Sequence, residues 1–194
     1  MKPIITAFVM IFLLAACGSS NDNPQSEANT PTDNGLPQLP RNFTVAMRGD
    51  RSASFEGPGV FQCSDGNGTL TQPRYQTINM LDADERMNTI VINMPALAAP
   101  GVYPLESQQS DNYGAVYSVE VYLNRSESFV VVQDGTLTLD SVPTGAGQPV
   151  KGNIQATLTT DDGAATITID ANFDFTSLTE EEIALTGINI YCSS

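Results

Sequence analysis

The 194-residue chain carries 22 acidic side chains against 8 basic ones, a formal net charge of −14, and has neither histidine nor tryptophan. So acidic a surface argues against nucleic acid and anionic headgroups as partners, because both require a basic face. Without histidine the usual general base, the Ser-His-Asp arrangement and the commonest metal ligand are gone, which leaves carboxylate-only hydrolysis as the one familiar enzymatic route.

The chain opens with Lys2, an apolar run from Ile4 to Leu14 and the small pair Ala15-Ala16. This is the layout of a secretory signal peptide. The run falls well short of the roughly 20 residues that cross a bilayer, and no later segment is long and apolar enough to span one. Leu14-Ala15-Ala16-Cys17 resembles the lipobox of bacterial lipoproteins. The resemblance implies that residues 1–16 are removed and that Cys17 becomes the first mature residue, acylated on sulfur and amine. At about 0.8 kcal/mol per buried CH₂, one acyl chain holds reversibly, whereas several anchor firmly. Where a host has two membranes, Asp after the cysteine favours inner-membrane retention. Gly18 stands there instead, so the resemblance implies an envelope protein of the outer membrane, on its periplasmic or surface face.

Residues 17–40 read "CGSSNDNPQSEANTPTDNGLPQLP", rich in Ser, Asn, Asp, Pro and Thr, with no large apolar side chain before Leu36. Such a segment cannot bury enough surface to offset its ordering entropy, and it is expected to be a disordered linker. As a flexible coil of about 23 residues its ends would lie roughly 25–30 Å apart.

Residues 41–194 suffice for one domain with its own core. Apolar and polar residues alternate through most of it. "NFTVAM" near Phe43, "NTIVINM" near Ile92 and "AVYSVEVYLN" near Val119 read as strands with one buried face. "SFVVVQ" near Val131 is apolar on both faces and reads as a central strand. "GTLTLDSV" sets Leu137 and Leu139 on one face, and "NIQATLTT" does the same with Ile154, Ala156 and Leu158. "ATITIDANFDF" sustains the alternation from Ile167 to Phe175. "GPG" at Gly57, "SDGNG" at Ser64, "APG" at Ala99, "TGAGQP" at Thr144 and "DDG" at Asp161 mark turns. "TEEE" offers a capping box, Thr179 with Glu182, and one helical turn at most. "TGINIYC" reads as a last strand. The expected fold is all-β, an antiparallel β-sandwich; a small up-and-down barrel shares the strand pattern and is the alternative.

Once Cys17 is set aside as the anchor, Cys63 and Cys192 remain. In an oxidising compartment they are expected to form one disulfide. Neither sits in a C-x-x-C pair, which argues against a redox role.

Further positions, Gly101, Tyr103, Tyr117, Gly135, Leu137, Leu139, Val150, Gly152 and Ile154, form a GxY step, an aromatic strand, a "GTLTL" strand and a "VKGxI" strand. This pattern resembles a module of uncharacterised bacterial lipoproteins. The resemblance implies a β-sandwich in which the last two strands form a hairpin, and it brings no catalytic residues. The glycines read as turns or bulges and the tyrosines as core or rim packing.

Oxygen ligands for a hard cation such as Ca²⁺ are densest in "SDGNG" (Asp65, Asn67) and "DADE" (Asp82, Asp84, Glu85). Neither cluster has EF-hand spacing, and the reading assigns no metal and no cofactor. Expected, then, is a non-catalytic lipoprotein held to the membrane through Cys17, binding or scaffolding another envelope protein or a glycan. The alternatives are a lipocalin-like carrier of a small apolar ligand and a carboxylate-based hydrolase.

Overall fold

The computed structural model describes residues 41–64, 75–83, 88–109 and 114–192. Along them run β1 (Phe43–Gly49), β2 (Ala53–Gly57), β3 (Gly59–Ser64), β4 (Tyr75–Leu81), β5 (Thr89–Pro95) and β6 (Gly101–Pro104). There follow β7 (Ser118–Leu123), β8 (Glu127–Phe129), β9 (Val131–Ser141), β10 (Pro149–Thr159), β11 (Thr166–Thr176) and a short helix, α1 (Glu180–Thr186).

The strands pair antiparallel into two sheets, one ordered β2-β1-β11-β10-β9-β6 and the other β3-β4-β5-β7-β8. Neither closes on itself, so the fold is a β-sandwich, and the barrel alternative is set aside. Alternation builds the first sheet. In β11 every second residue from Ile167 to Phe175 is buried and every intervening one is exposed. The register then lays Tyr103, Leu137, Ile154, Ala171, Val45 and Phe55 in one row across six strands. A matching row, Phe61, Ile78, Ile92 and Val119, crosses the second sheet. Almost all of these side chains are out of water, and each fully buried one contributes about 1.5–3 kcal/mol.

Large and small residues interlock within a sheet as well as between sheets. Phe173 lies opposite Gly152, and a Cβ on Gly152 would stand 2.7 Å from the Phe173 ring and 2.1 Å from the Thr138 carbonyl oxygen. The ladder between β10 and β9 shifts register between Lys151 and Gly152, which puts this glycine at an irregularity of the strand.

The chain changes sheets four times, and two of these crossings turn on a single residue between strands. Pro58, which has no N–H to continue a ladder, separates β2 from β3, so "GPG" turns the chain into the other sheet instead of closing a hairpin. Val130 separates β8 from β9 in the same way, its N–H donating to the Thr159 carbonyl at 3.1 Å. "SFVVVQ" is therefore two strands in two sheets and not one central strand. It is apolar on both faces because a crossing chain passes between both layers. Farther along the same side, the half-buried rings of Tyr103 and Tyr117 stack with centroids 3.9 Å apart.

After β11 the chain departs from expectation twice. The helix runs seven residues, not one turn: Glu182 N–H donates to Thr179 Oγ, the Thr179 N–H donates to the Glu182 carboxylate, and Gly187 ends it at φ 69°. Three glutamates in its first turn suit the helix dipole. The following "TGINIYC" forms no strand. It makes one backbone bond to β3, Cys63 N–H to the Asn189 carbonyl at 2.7 Å, while the next outward donor, Tyr191 N–H, is taken by the Asn189 side chain. Ile188 and Ile190 are nonetheless buried, and Cys192 bridges to Cys63 with Cα atoms 5.3 Å apart.

The outer strands of both sheets are each handled differently. Ala83 N–H donates to Glu56 alongside β2, and Asn189 accepts from β3. β8 is three residues long. In β6 the Leu105 N–H donates to Gly135, which turns the odd-numbered positions toward β9. Positions 100, 102 and 104 then point outward, and Pro100 and Pro104 leave Val102 as the single donor among them.

Candidate functional site

Three turns far apart in sequence meet at one corner of the sandwich and line an open polar cleft of about 640 Å³. The β1–β2 turn brings Asp50 and Arg51, the β7–β8 connection brings Ser126 to Ser128, and the β10–β11 turn brings Thr160 to Asp162. Each turn has a local cause. Asn124 and Arg125 adopt φ of 49° and 59°, the left-handed central pair of a turn that the Ser126 N–H closes on the Leu123 carbonyl at 3.1 Å, within a three-residue hairpin loop. In the third turn Gly163 at φ 70° lets the chain reverse, and Asp162 Oδ1 accepts from the Ala164 N–H at 3.0 Å and the Thr160 hydroxyl at 2.7 Å.

The charges of the cleft hold these turns to one another. Arg51 grips Glu127 with two nitrogens, Nε at 2.9 Å and Nη2 at 2.8 Å, and its Nη1 donates to the Asp50 carbonyl. Asp50 Oδ2 accepts the Thr166 N–H at 2.7 Å. The Thr160 hydroxyl, and after it the Ala164 N–H, hold the Asp162 carboxyl below the usual aspartate range. Cleavage of a glycoside by two carboxylates needs one of them kept protonated by burial beside an ionised partner. Here Asp50, Asp161 and Asp162 are exposed, Glu127 is ion-paired, and the shifted carboxyl moves toward greater acidity. The arrangement is suited to locking turns and to presenting a polar, charged rim.

Of the residues singled out in the sequence, Asp82 is buried at 4 % exposure and pins the start of the β4–β5 connection. The Asn88 side-chain amide donates to its Oδ2 at 2.9 Å, and its own N–H donates to the Asn88 carbonyl. Cys17, Asp65, Asn67, Asp84 and Glu85 lie outside the described residues. Among the described residues no three His, Cys, Asp or Glu side chains gather as a metal site, and no helix is long and apolar enough to cross a membrane. The cleft escaped the sequence reading, which recognised "DDG" as a turn but had no signal joining Arg51 to Glu127.

Outside the cleft three tyrosines are perturbed, Tyr191 being raised first by its hydrogen bond with Glu180. Burial, and then the hydrogen bond with Tyr103, raise the Tyr117 hydroxyl well above the ordinary tyrosine value. Burial, followed by the charge of Glu120, does the same for Tyr122, whose hydroxyl donates to Glu120. No family model, curated protein or solved structure matches the chain.

Proposed function

We propose that this chain is a lipid-anchored protein of the bacterial cell envelope, held at the outer membrane, whose β-sandwich acts as a non-catalytic binding or structural module. The observation that carries the reading is Leu14-Ala15-Ala16-Cys17 at the end of an apolar run, followed by a polar, proline-containing linker that leads to the first strand. Two structural facts support it. The Cys63–Cys192 bridge suits an oxidising compartment. Three of the four cleft carboxylates, Asp50, Glu127 and Asp162, are engaged in turn hydrogen bonds and an ion pair, which favours a module over a carboxylate-based hydrolase. A carrier with an apolar lumen needs a closed barrel, and the sheets here pack their inner side chains on one another.

Substitution of Cys17 tests the anchor. The native protein is expected in the membrane fraction, resistant to high salt and released by detergent, with fatty-acid label incorporated. The Cys17→Ser protein is expected in the soluble fraction without label, and its persistence in membranes would overturn the reading. On a density gradient the native protein should follow the outer membrane, and Gly18→Asp should move it to the inner one. Crosslinking in intact cells then identifies the protein or glycan that the module touches.

A further inference from the structure

We propose that an apolar strip formed by the β5–β6 loop and β6 docks the domain on an uncharged, zwitterionic phospholipid surface. The inference rests on the lipid-anchor reading and extends it to the folded domain. From Met94 to Pro104 the sequence is "MPALAAPGVYP", eleven residues whose only hydrogen-bonding side chain is that of Tyr103. That hydroxyl donates to the Ala99 carbonyl at 2.8 Å. Leu97 is 77 % exposed and Val102 68 % exposed, and Ala99, Pro100 and Pro104 stand exposed beside them in the sequence. Exposed apolar side chains that gather into one patch mark interaction sites, and here five fall within eight consecutive residues, Leu97 to Pro104.

The strip is held in shape. Ala98 N–H donates to the Pro95 carbonyl at 3.1 Å, Ala98 packs on the core, and Tyr103 stacks on Tyr117. Its apolar groups are thus already ordered before contact, which lowers the entropy lost on docking. A partner strand cannot add along β6, because Pro100 and Pro104 leave one outward donor.

Charge selects the occupant. A chain of net charge −14 is repelled by an anionic surface, and the strip contributes no carboxylate of its own. A zwitterionic bilayer surface is the one it meets without that penalty. Two inserted aliphatic side chains make a contact too weak to hold a free protein. Attachment through an acylated Cys17, as proposed, would hold the domain near the surface at an effective concentration on the order of millimolar, at which a weak contact is occupied.

The absence of tryptophan supplies the assay. Lipidated full-length Leu97→Trp protein, reconstituted into phosphatidylcholine vesicles, reports the environment of position 97 through its single tryptophan. Expected are emission at shorter wavelength than in the unlipidated Cys17→Ser background and an acrylamide quenching constant lower by about twofold or more, as for a side chain at the headgroup boundary. Asp161→Trp, in the polar cleft, should stay fully quenched. Adding Val102→Asp to Leu97→Trp should return quenching to the aqueous value. If the protein floats with the vesicles yet Leu97→Trp is quenched as fully as Asp161→Trp, the docking inference fails and the anchor stands. If it does not float, both readings fail together.

Discussion

Replacing Gly152 with alanine tests the packing at the centre of the larger sheet. The added Cβ would meet the Thr138 carbonyl oxygen at 2.1 Å and two atoms of the Phe173 ring at 2.7 and 3.1 Å. The carbonyl belongs to β9, and Phe173 is 2 % exposed and cannot swing into water. Relief requires β9 and β10 to part locally. Overpacking costs about 1–3 kcal/mol, and each ladder bond stretched in the process costs roughly 0.5–1.5 kcal/mol more. With about two ladder bonds stretched the sum is about 2–6 kcal/mol, or a fall in Tm of about 4–24 °C for a domain of this size. Thermal unfolding followed by circular dichroism, with urea titration to verify an unchanged slope, reads it directly. Gly145→Ala is the control, since its Cβ would approach nothing closer than 3.4 Å, and it should be neutral. A Gly152→Ala protein whose Tm stays within about 2 °C of the native value would refute the reasoning.

Three further outcomes are expected. Arg125→Gly places the preferred Asn-Gly pair in a turn whose residues both have positive φ, and should raise stability by about 0.5–1 kcal/mol; a lowered Tm would contradict the turn assignment. The double variant Cys63→Ala/Cys192→Ala opens a loop closed over a separation of 129 residues and should lose up to about 5 kcal/mol. Its urea midpoint measures this, and an unchanged midpoint would mean that the last segment is held without the bridge. Because the Tyr117 and Tyr122 hydroxyls are raised in the folded state, the stability they confer is complete below the unfolded value, near pH 10, and drains away as pH climbs toward the folded one. Tyr117→Phe should flatten that alkaline loss, and an identical slope in native and variant protein would count against it.

The long strands were legible because burial alternates without interruption along them, as at Ile167, Ile169, Ala171, Phe173 and Phe175. β4 was not. It buries Gln76 and Thr77 beside Ile78, so its polar residues mask the period. β2 and β3 were hidden by Pro58, which reads as a turn and serves as the bend from one sheet to the other. The last segment has strand-like alternation, yet Asn189 diverts a donor that a ladder would need. The pairing of Cys63 with Cys192 followed from counting, whereas the cleft joins residues 76 and 116 positions apart through Arg51–Glu127 and Asp50–Thr166, and no local pattern encodes such meetings. Asp82, weighed in the sequence among oxygen donors without a metal being assigned, accepts from the Asn88 amide at the start of the β4–β5 connection, a contact that the acidic cluster "DADE" does not announce.

The outward prolines of β6 bear on how closely copies of this domain can be crowded together. If the proposed anchoring holds, copies would share a plane, where neighbours collide far more often than in free solution and with similar sides presented. A sheet with an open rim would zip to its neighbour under such crowding and seed a fibre, since exposed edge groups template further pairing. With Pro100 and Pro104 flanking Val102, Ala83 laid along β2 and Asn189 along β3, lateral growth has little to start from. A surface could then be populated densely with this domain while each copy remains a separate particle.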